Sequence, residues 1–205
     1  HGSSAASDVY KRQVLENVSV PVFAAGGFRD GYGLAAAKAW GAQGIAMGTR
    51  FMMTQESPVP ENTKDAYLQA GIDEISVTKK FDGLPHRLIF NKYIQNIDKS
   101  NPLKLFFISL KSAWKYKQIS QASFGDIVKS FFAMLRGDDL SISQTIMAAN
   151  SPAVIQKAMV EGNPDQGAMP SGQVAGIIKE IPSCENLVKE IIEQYHKASE
   201  NLKTL

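Results

Sequence analysis

Val20-Pro21-Val22-Phe23-Ala24-Ala25-Gly26-Gly27 and, one helix further on, Gly44-Ile45-Ala46-Met47-Gly48-Thr49-Arg50-Phe51 decide the reading of this chain. Each is a short apolar run that stops at glycine, the pattern of a parallel strand covered on both faces. Between them lies Asp30-Gly31-Tyr32-Gly33-Leu34-Ala35-Ala36-Ala37-Lys38-Ala39-Trp40-Gly41. Asp30 can cap a helix, the alanines favour one, and Gly41 suits its end. The unit is strand, loop, helix, strand, with both strand tips bare of side chains. In a (β/α)8 barrel the loops after the last two strands form the usual phosphate pocket. The expected fold class is α/β: the C-terminal part of a TIM (β/α)8 barrel followed by a mainly helical segment.

A phosphate dianion needs several N–H donors converging without intervening side chains. Gly26 and Gly27 offer two amides at one tip; Gly48 and Thr49 offer two more, with the Thr49 hydroxyl, at the next. The simplest ligand is flavin mononucleotide (FMN). The competing reading is that these glycines only shape tight loops. Gly31, Gly33, Gly41 and Gly44 are read as turn and packing positions, and Asp30 as a cap.

The chain has 205 residues, of which 44% are hydrophobic and 20% charged, a globular composition. A net charge of +2 is too mild to imply a nucleic-acid partner. Residues 101–136 are basic with interleaved aromatics, which reads either as a surface patch for membrane or nucleic acid or, preferably, as a solvated helical lid. No apolar run approaches the roughly 20 residues of a membrane span. A single cysteine, Cys184, suits a reducing cytoplasm. Three histidines and one cysteine show no metal-ligand spacing, and no Gly-x-Ser-x-Gly elbow is present.

Residues 1–13 lack an initiator Met and apolar periodicity, and read as a truncated or non-native junction. Residues 14–90 are assigned to the last βα units of the barrel and 91–205 to the helical segment. A complete barrel takes roughly 250 residues, so the chain is expected to be the C-terminal part of a longer protein, with open sheet edges and an uncovered apolar face. Helices are predicted over 61–70 (closed by Gly71), 102–117, 124–136, 140–149, 151–161 and 184–201, with Ser123, Ser141, Ser151 and Ser183 as N-caps. Residues 74–79 are either a strand or an irregular extended segment.

Ala24-Ala25-Gly26-Gly27, Gly48-Thr49-Arg50-Phe51, Glu56-Ser57 and Gly83-Leu84-Pro85-His86-Arg87 resemble successive signatures of the nitronate monooxygenase family. Pro170-Ser171-Gly172-Gln173-Val174-Ala175-Gly176 and Ile181-Pro182-Ser183 resemble the late part of its longer bacterial members. The resemblance covers about residues 14–205. It implies an FMN-binding TIM barrel whose phosphate is held by Gly26, Gly27, Gly48 and Thr49, with Gln173 near the flavin. Gln173 reads equally as a surface residue. The family's catalytic histidine sits in a Gly-Gly-His-Gly loop before the Ala-Gly-Gly strand. His1-Gly2 lies at that spacing, as the end of that loop or by accident. His86, in a loop motif, and His196, on a polar helix, are poorer candidates.

The resemblance implies FMN-dependent oxidation of alkyl nitronates with O2. Taken alone, the chain is expected to bind FMN weakly and to lack activity. Two alternatives stand beside it: an NAD(P)H-dependent FMN reductase of enoyl thioesters on acyl-carrier protein, and a phosphate- or nucleotide-binding barrel fragment without redox work. The substrate is in each enzyme reading a small molecule. Cys184, after Ser183, reads as a helix start rather than a reactive thiol.

Overall fold

Asp30 starts the first long helix by its side chain: Oδ1 accepts the Gly33 N–H at 2.9 Å. That satisfies one of the donors a helix start leaves without an intrahelical partner. The computed structural model describes residues 11–79, 84–100 and 142–203. In chain order its elements are β1 (Phe23–Ala25), α1 (Gly31–Ala39), β2 (Gly44–Ala46), α2 (Thr49–Met52), α3 (Glu61–Gln69), β3 (Ile75–Thr78), β4 (His86–Ile89), α4 (Lys92–Asp98), α5 (Ile142–Met159) and α6 (Cys184–Lys203). Residues 11–17 are also helical. The described residues fall into two units, one built mainly from 11–57 and 178–203, the other mainly from 58–171.

In the first unit β1 and β2 pair in parallel, with Phe23 opposite Gly44, Ala24 opposite Ile45 and Ala25 opposite Ala46. The strand expected from Val20 is shorter at its start, because Pro21 has no N–H to give a ladder. Ala24, Phe28, Ala37 and Ala42 form the buried cluster, with Leu15, Trp40, Ile45 and Met47 packed on it. Coverage of β1 on both faces is not found among the described residues. Val20 and Phe23 are 65% and 64% exposed. α6 packs on α1 at a glycine: the Gly31 N–H donates to Gln194 Oε1 at 2.9 Å.

The second unit corrects several expectations. Gly71 does not close α3; Ala70 already turns extended, and Gly71, at φ −85°, instead precedes the 3-10 turn Ile72–Glu74. The Glu74 carboxylate accepts the Gly71 N–H at 2.8 Å. Residues 75–78 are a strand, paired antiparallel with β4, so that Thr78 faces His86 and Ile75 faces Ile89. His86 therefore lies in a strand rather than a loop. Its motif reads as a loop because Pro85 masks the alternation that begins behind it. The separate helices expected over 140–149 and 151–161 are one helix, α5, which runs through Pro152 and forfeits one backbone bond there. Ser151 is thus no N-cap. Predicted helices 102–117 and 124–136, with Ser123 and Ser141, lie outside the described residues.

Leu88, Ile94, Ile97, Val154 and Ala168 form this unit's core, with Phe90, Tyr93 and Ile155 against it. Burial pushes the Tyr93 phenol from its ordinary 10.0 up to about 12. It pushes buried Tyr67 up as well, and the Tyr67 hydroxyl donates to the Pro170 carbonyl at 2.5 Å. A tyrosine whose folded pKa is raised stabilises fully below pH 10 and loses that contribution as pH climbs toward 12. Unfolding free energies from urea melts at pH 9 and pH 11.5 should therefore differ by about 2 kcal/mol through Tyr93, and Tyr93→Phe should remove that part of the difference.

Candidate functional site

The register of the parallel pair sets the carboxyl ends of β1 and β2 side by side, since Ala25 faces Ala46. Gly26 and Gly27 follow the first end, and Gly48 and Thr49 the second. Gly26 and Gly27 have φ of +85° and +84°, a conformation that favours glycine, yet a Cβ on either would meet nothing within 4 Å. Backbone geometry demands glycine there; neighbouring atoms do not. Gly48 is more telling. Its φ of −84° suits any residue, and a Cβ would again meet open space.

α2 starts at Thr49, so the N–H groups of its first turn have no intrahelical partner. The Thr49 hydroxyl is oriented by a distant segment. The Gly172 N–H donates to Thr49 Oγ1 at 2.8 Å. Having accepted that bond, the hydroxyl can place its own proton on an acceptor beyond. A Cβ at Gly172 would lie 2.9 Å from Thr49 Oγ1, so glycine is required for this approach. The late Gly-Gln motif thus reaches the Thr49 corner through Gly172, whose role the motif alone does not reveal. Gln173 is exposed one residue beyond.

The segment after Thr49 is fastened to the chain entering α6. Arg50 is buried, with Nη2 2.8 Å from Glu180 Oε1. The Gln55 N–H donates to the Pro182 carbonyl at 3.0 Å. The Cys184 N–H lies 2.9 Å from both carboxylate oxygens of Glu56, an acid at the positive end of α6. The Ser183 hydroxyl accepts the Asn186 N–H at 3.2 Å, completing the cap expected there. These contacts account for the arginine, glutamate and proline-serine of the quoted motifs as fasteners of the Thr49 turn. Cys184 Sγ sits 3.4 Å from Thr54 Oγ1.

His1, the candidate base, lies outside the described residues. His86 sits in the second unit and is half-buried. His196 is exposed on α6, its ring edge-on to Tyr195 at 5.5 Å between centroids. A residue set aside with the N-terminal stretch stands at the glycine tip instead. Lys11 Nζ donates to the Gly26 carbonyl at 3.0 Å and lies 4.6 Å from the centroid of the Phe28 ring. No local signal in the sequence marks either Lys11 or Gly172. Among the described residues no helix is long and apolar enough to cross a membrane.

Parallel strands with bare adjoining tips, an intervening helix and a second helix packed on it make an α/β unit, and its structural neighbours place it in the TIM-barrel class. Solved structures agree: FabK from Thermotoga maritima superposes with a TM-score of 0.68 at 26% identity, covering 97% of this chain and 51% of that one. The nitroalkane oxidase of Streptomyces ansochromogenes shares the fold with a TM-score of 0.59 at 22% identity, covering 98% of this chain and 48% of that one. A family profile described as nitronate monooxygenase matches residues 9–194, and the chain belongs to that family of flavin-dependent oxidoreductases.

Among curated relatives, the "(3aS,4S,5R,7aS)-5-hydroxy-7a-methyl-1-oxo-octahydro-1H-indene-4-carboxyl-CoA dehydrogenase" of Mycobacterium tuberculosis is 40% identical over 94% of this chain and 55% of its own length. The protein of the same name from Rhodococcus jostii is 38% identical over 100% of this chain and 58% of its own. A probable nitronate monooxygenase of Staphylococcus haemolyticus is 40% identical over 42% of this chain and 24% of its own length. The chain thus spans little more than half the length of the relatives it matches throughout.

Proposed function

We propose that Gly26, Gly27, Gly48 and Thr49 hold the phosphate of FMN, and that the chain serves a flavin-dependent oxidation of an acyl-CoA thioester. Gly48 carries the phosphate assignment. Neither its backbone nor its neighbours require glycine, so the missing side chain is accounted for by something that approaches from outside. A phosphate suits the donors present: bare amides on adjoining strand tips and the Thr49 hydroxyl, which accepts the Gly172 N–H and keeps its own proton to donate. Bound FMN would supply the two-electron acceptor. The chain's own part is to anchor the phosphate end and so fix where the ring lies relative to substrate. No described residue is assigned as the base, and His1 keeps the role the resemblance gives it.

The extent of likeness supports the thioester. Relatives named as CoA dehydrogenases match along 94% and 100% of the chain, whereas the staphylococcal nitronate monooxygenase matches along 42%. Nitronate oxidation with O2 is the second reading, favoured by the family profile over residues 9–194. A cytoplasmic setting, with one cysteine and no disulfide partner for it, goes with either. Anaerobic mixing of the flavin-loaded protein with a hydroxyacyl-CoA and, separately, with an alkyl nitronate decides between them. Loss of the flavin's visible absorbance with the thioester alone is expected. Loss with the nitronate alone would replace the first reading by the second, and an NADPH-dependent loss reversed by an enoyl thioester would point to a reductase.

A further inference from the structure

We propose that Arg87 and Ser171 form an oxyanion-binding site in the second unit, fitted to a carboxylate or phosphate group. It stands independently of the phosphate reading of Gly26, Gly27, Gly48 and Thr49. The two residues come from two of the quoted motifs, the run that ends at Arg87 and the run that begins at Pro170. Backbone pairing brings them together. Leu88 faces Pro170 in an antiparallel bridge. The Ile89 N–H donates to the Met169 carbonyl at 3.0 Å, and the Ser171 N–H donates to the Arg87 carbonyl at 3.0 Å. That register sets Arg87 directly opposite Ser171. Residues so opposed share one face, with Cβ atoms about 4.5–5.5 Å apart.

Arg87 differs from the other described arginines. Arg12, Arg29 and Arg50 lie 2.8, 3.2 and 2.8 Å from the carboxylates of Glu16, Asp30 and Glu180. The Arg87 side chain is partly buried, and among the described residues its guanidinium has no hydrogen bond and no ion pair. Its neighbours across the two ladders are Val77 and Ser171, neither of them acidic. Leu88, the next residue, turns to the opposite face and joins the core, while Val77, on the face of Arg87, is exposed. Ser171 Oγ is buried and has no hydrogen-bond partner, which is rare for such a group. Rotation about one bond moves that hydroxyl between staggered positions. An anion at Arg87 gives it an acceptor. The guanidinium then supplies charge and a planar fork of donors matched to a carboxylate or phosphate, and the hydroxyl supplies one further donor.

The test follows the Arg87 Nε–H signal and the Ser171 amide signal of the isotope-labelled protein. Inorganic phosphate, acetate and coenzyme A are added separately, with sodium chloride at matched ionic strength as the control. Both signals should shift together and saturate with an oxyanion, and stay still with chloride. Saturation by phosphate or coenzyme A identifies a phosphate group as the ligand; saturation by acetate alone identifies a carboxylate. Arg87→Lys, which keeps the charge and loses the fork, should weaken the saturating anion about tenfold. Ser171→Ala should weaken it about fivefold, the scale of one hydrogen bond, and should melt no lower than the unaltered protein. No saturable shift with any of the three anions, or an equal shift with chloride, overturns the site. Phosphate that moves the Gly48 amide but not the Arg87 signal overturns it too, and leaves the cradle standing. A Ser171→Ala protein that binds the anion undiminished removes Ser171 from the site and overturns the pairing.

Discussion

Gly31→Ala should lower the melting temperature by roughly 10 °C, the largest stability loss expected from a methyl group at any of the described glycines. A Cβ at Gly31 would stand 2.1 Å from the Ile191 carbonyl oxygen and 2.5 Å from the Tyr195 nitrogen. Both are backbone atoms of α6, inside a regular helix, and cannot swing aside as a side-chain end could. Overpacking of a well-filled site costs about 1–3 kcal/mol and more where backbone must move. Parting the helices would also stretch the bond from the Gly31 N–H to Gln194 Oε1. Stability of a domain is only about 5–15 kcal/mol, so such a loss shows directly in a thermal or urea melt. An unchanged melt would mean that α6 does not lie on α1 as described.

Gly48→Ala should behave in the opposite way. Its φ of −84° accommodates alanine and no atom lies within 4 Å of the added carbon. The folded state should be untouched, or stabilised by about 0.4–1 kcal/mol through a less flexible unfolded chain. FMN affinity should nevertheless fall about tenfold or more, because the methyl group stands where a phosphate oxygen must come to reach the amides. Riboflavin should bind as before. The pair of substitutions separates two uses of glycine that look alike in a sequence: one makes room for the protein's own backbone, the other for a ligand. A Gly48→Ala protein that melts early and loses FMN and riboflavin alike would place Gly48 with Gly31.

The strand–helix–strand unit was legible because its signals are local. Asp30 caps, the alanines propagate, and the apolar runs end at Gly26 and Gly48, so each boundary falls within a few residues of its expectation. Neighbouring strand tips follow from parallel pairing. Other features depend on partners far along the chain. Gly172 meets Thr49 across 123 positions and Glu56 meets Cys184 across 128, and neither spacing carries a periodic or turn signal. Lys11 was hidden differently. It sits in a stretch without apolar period that was set aside, although residues 11–17 are helical and its ammonium reaches the cradle loop. Pro152 misled through a sound local rule: α5 loses one bond there and continues, so the residues around it form one helix.

The central claim is that bare amides at two adjoining strand tips receive one dianion. Amide proton and nitrogen shifts of the isotope-labelled protein, recorded during separate titrations with FMN and riboflavin, test it most directly, because weak binding is no obstacle to the measurement. Shifts of Gly26, Gly27, Gly48 and Thr49 that move together with FMN, and stay still with riboflavin, are the predicted result. FMN that leaves these four amides unmoved, or moves them no more than riboflavin does, would contradict the account.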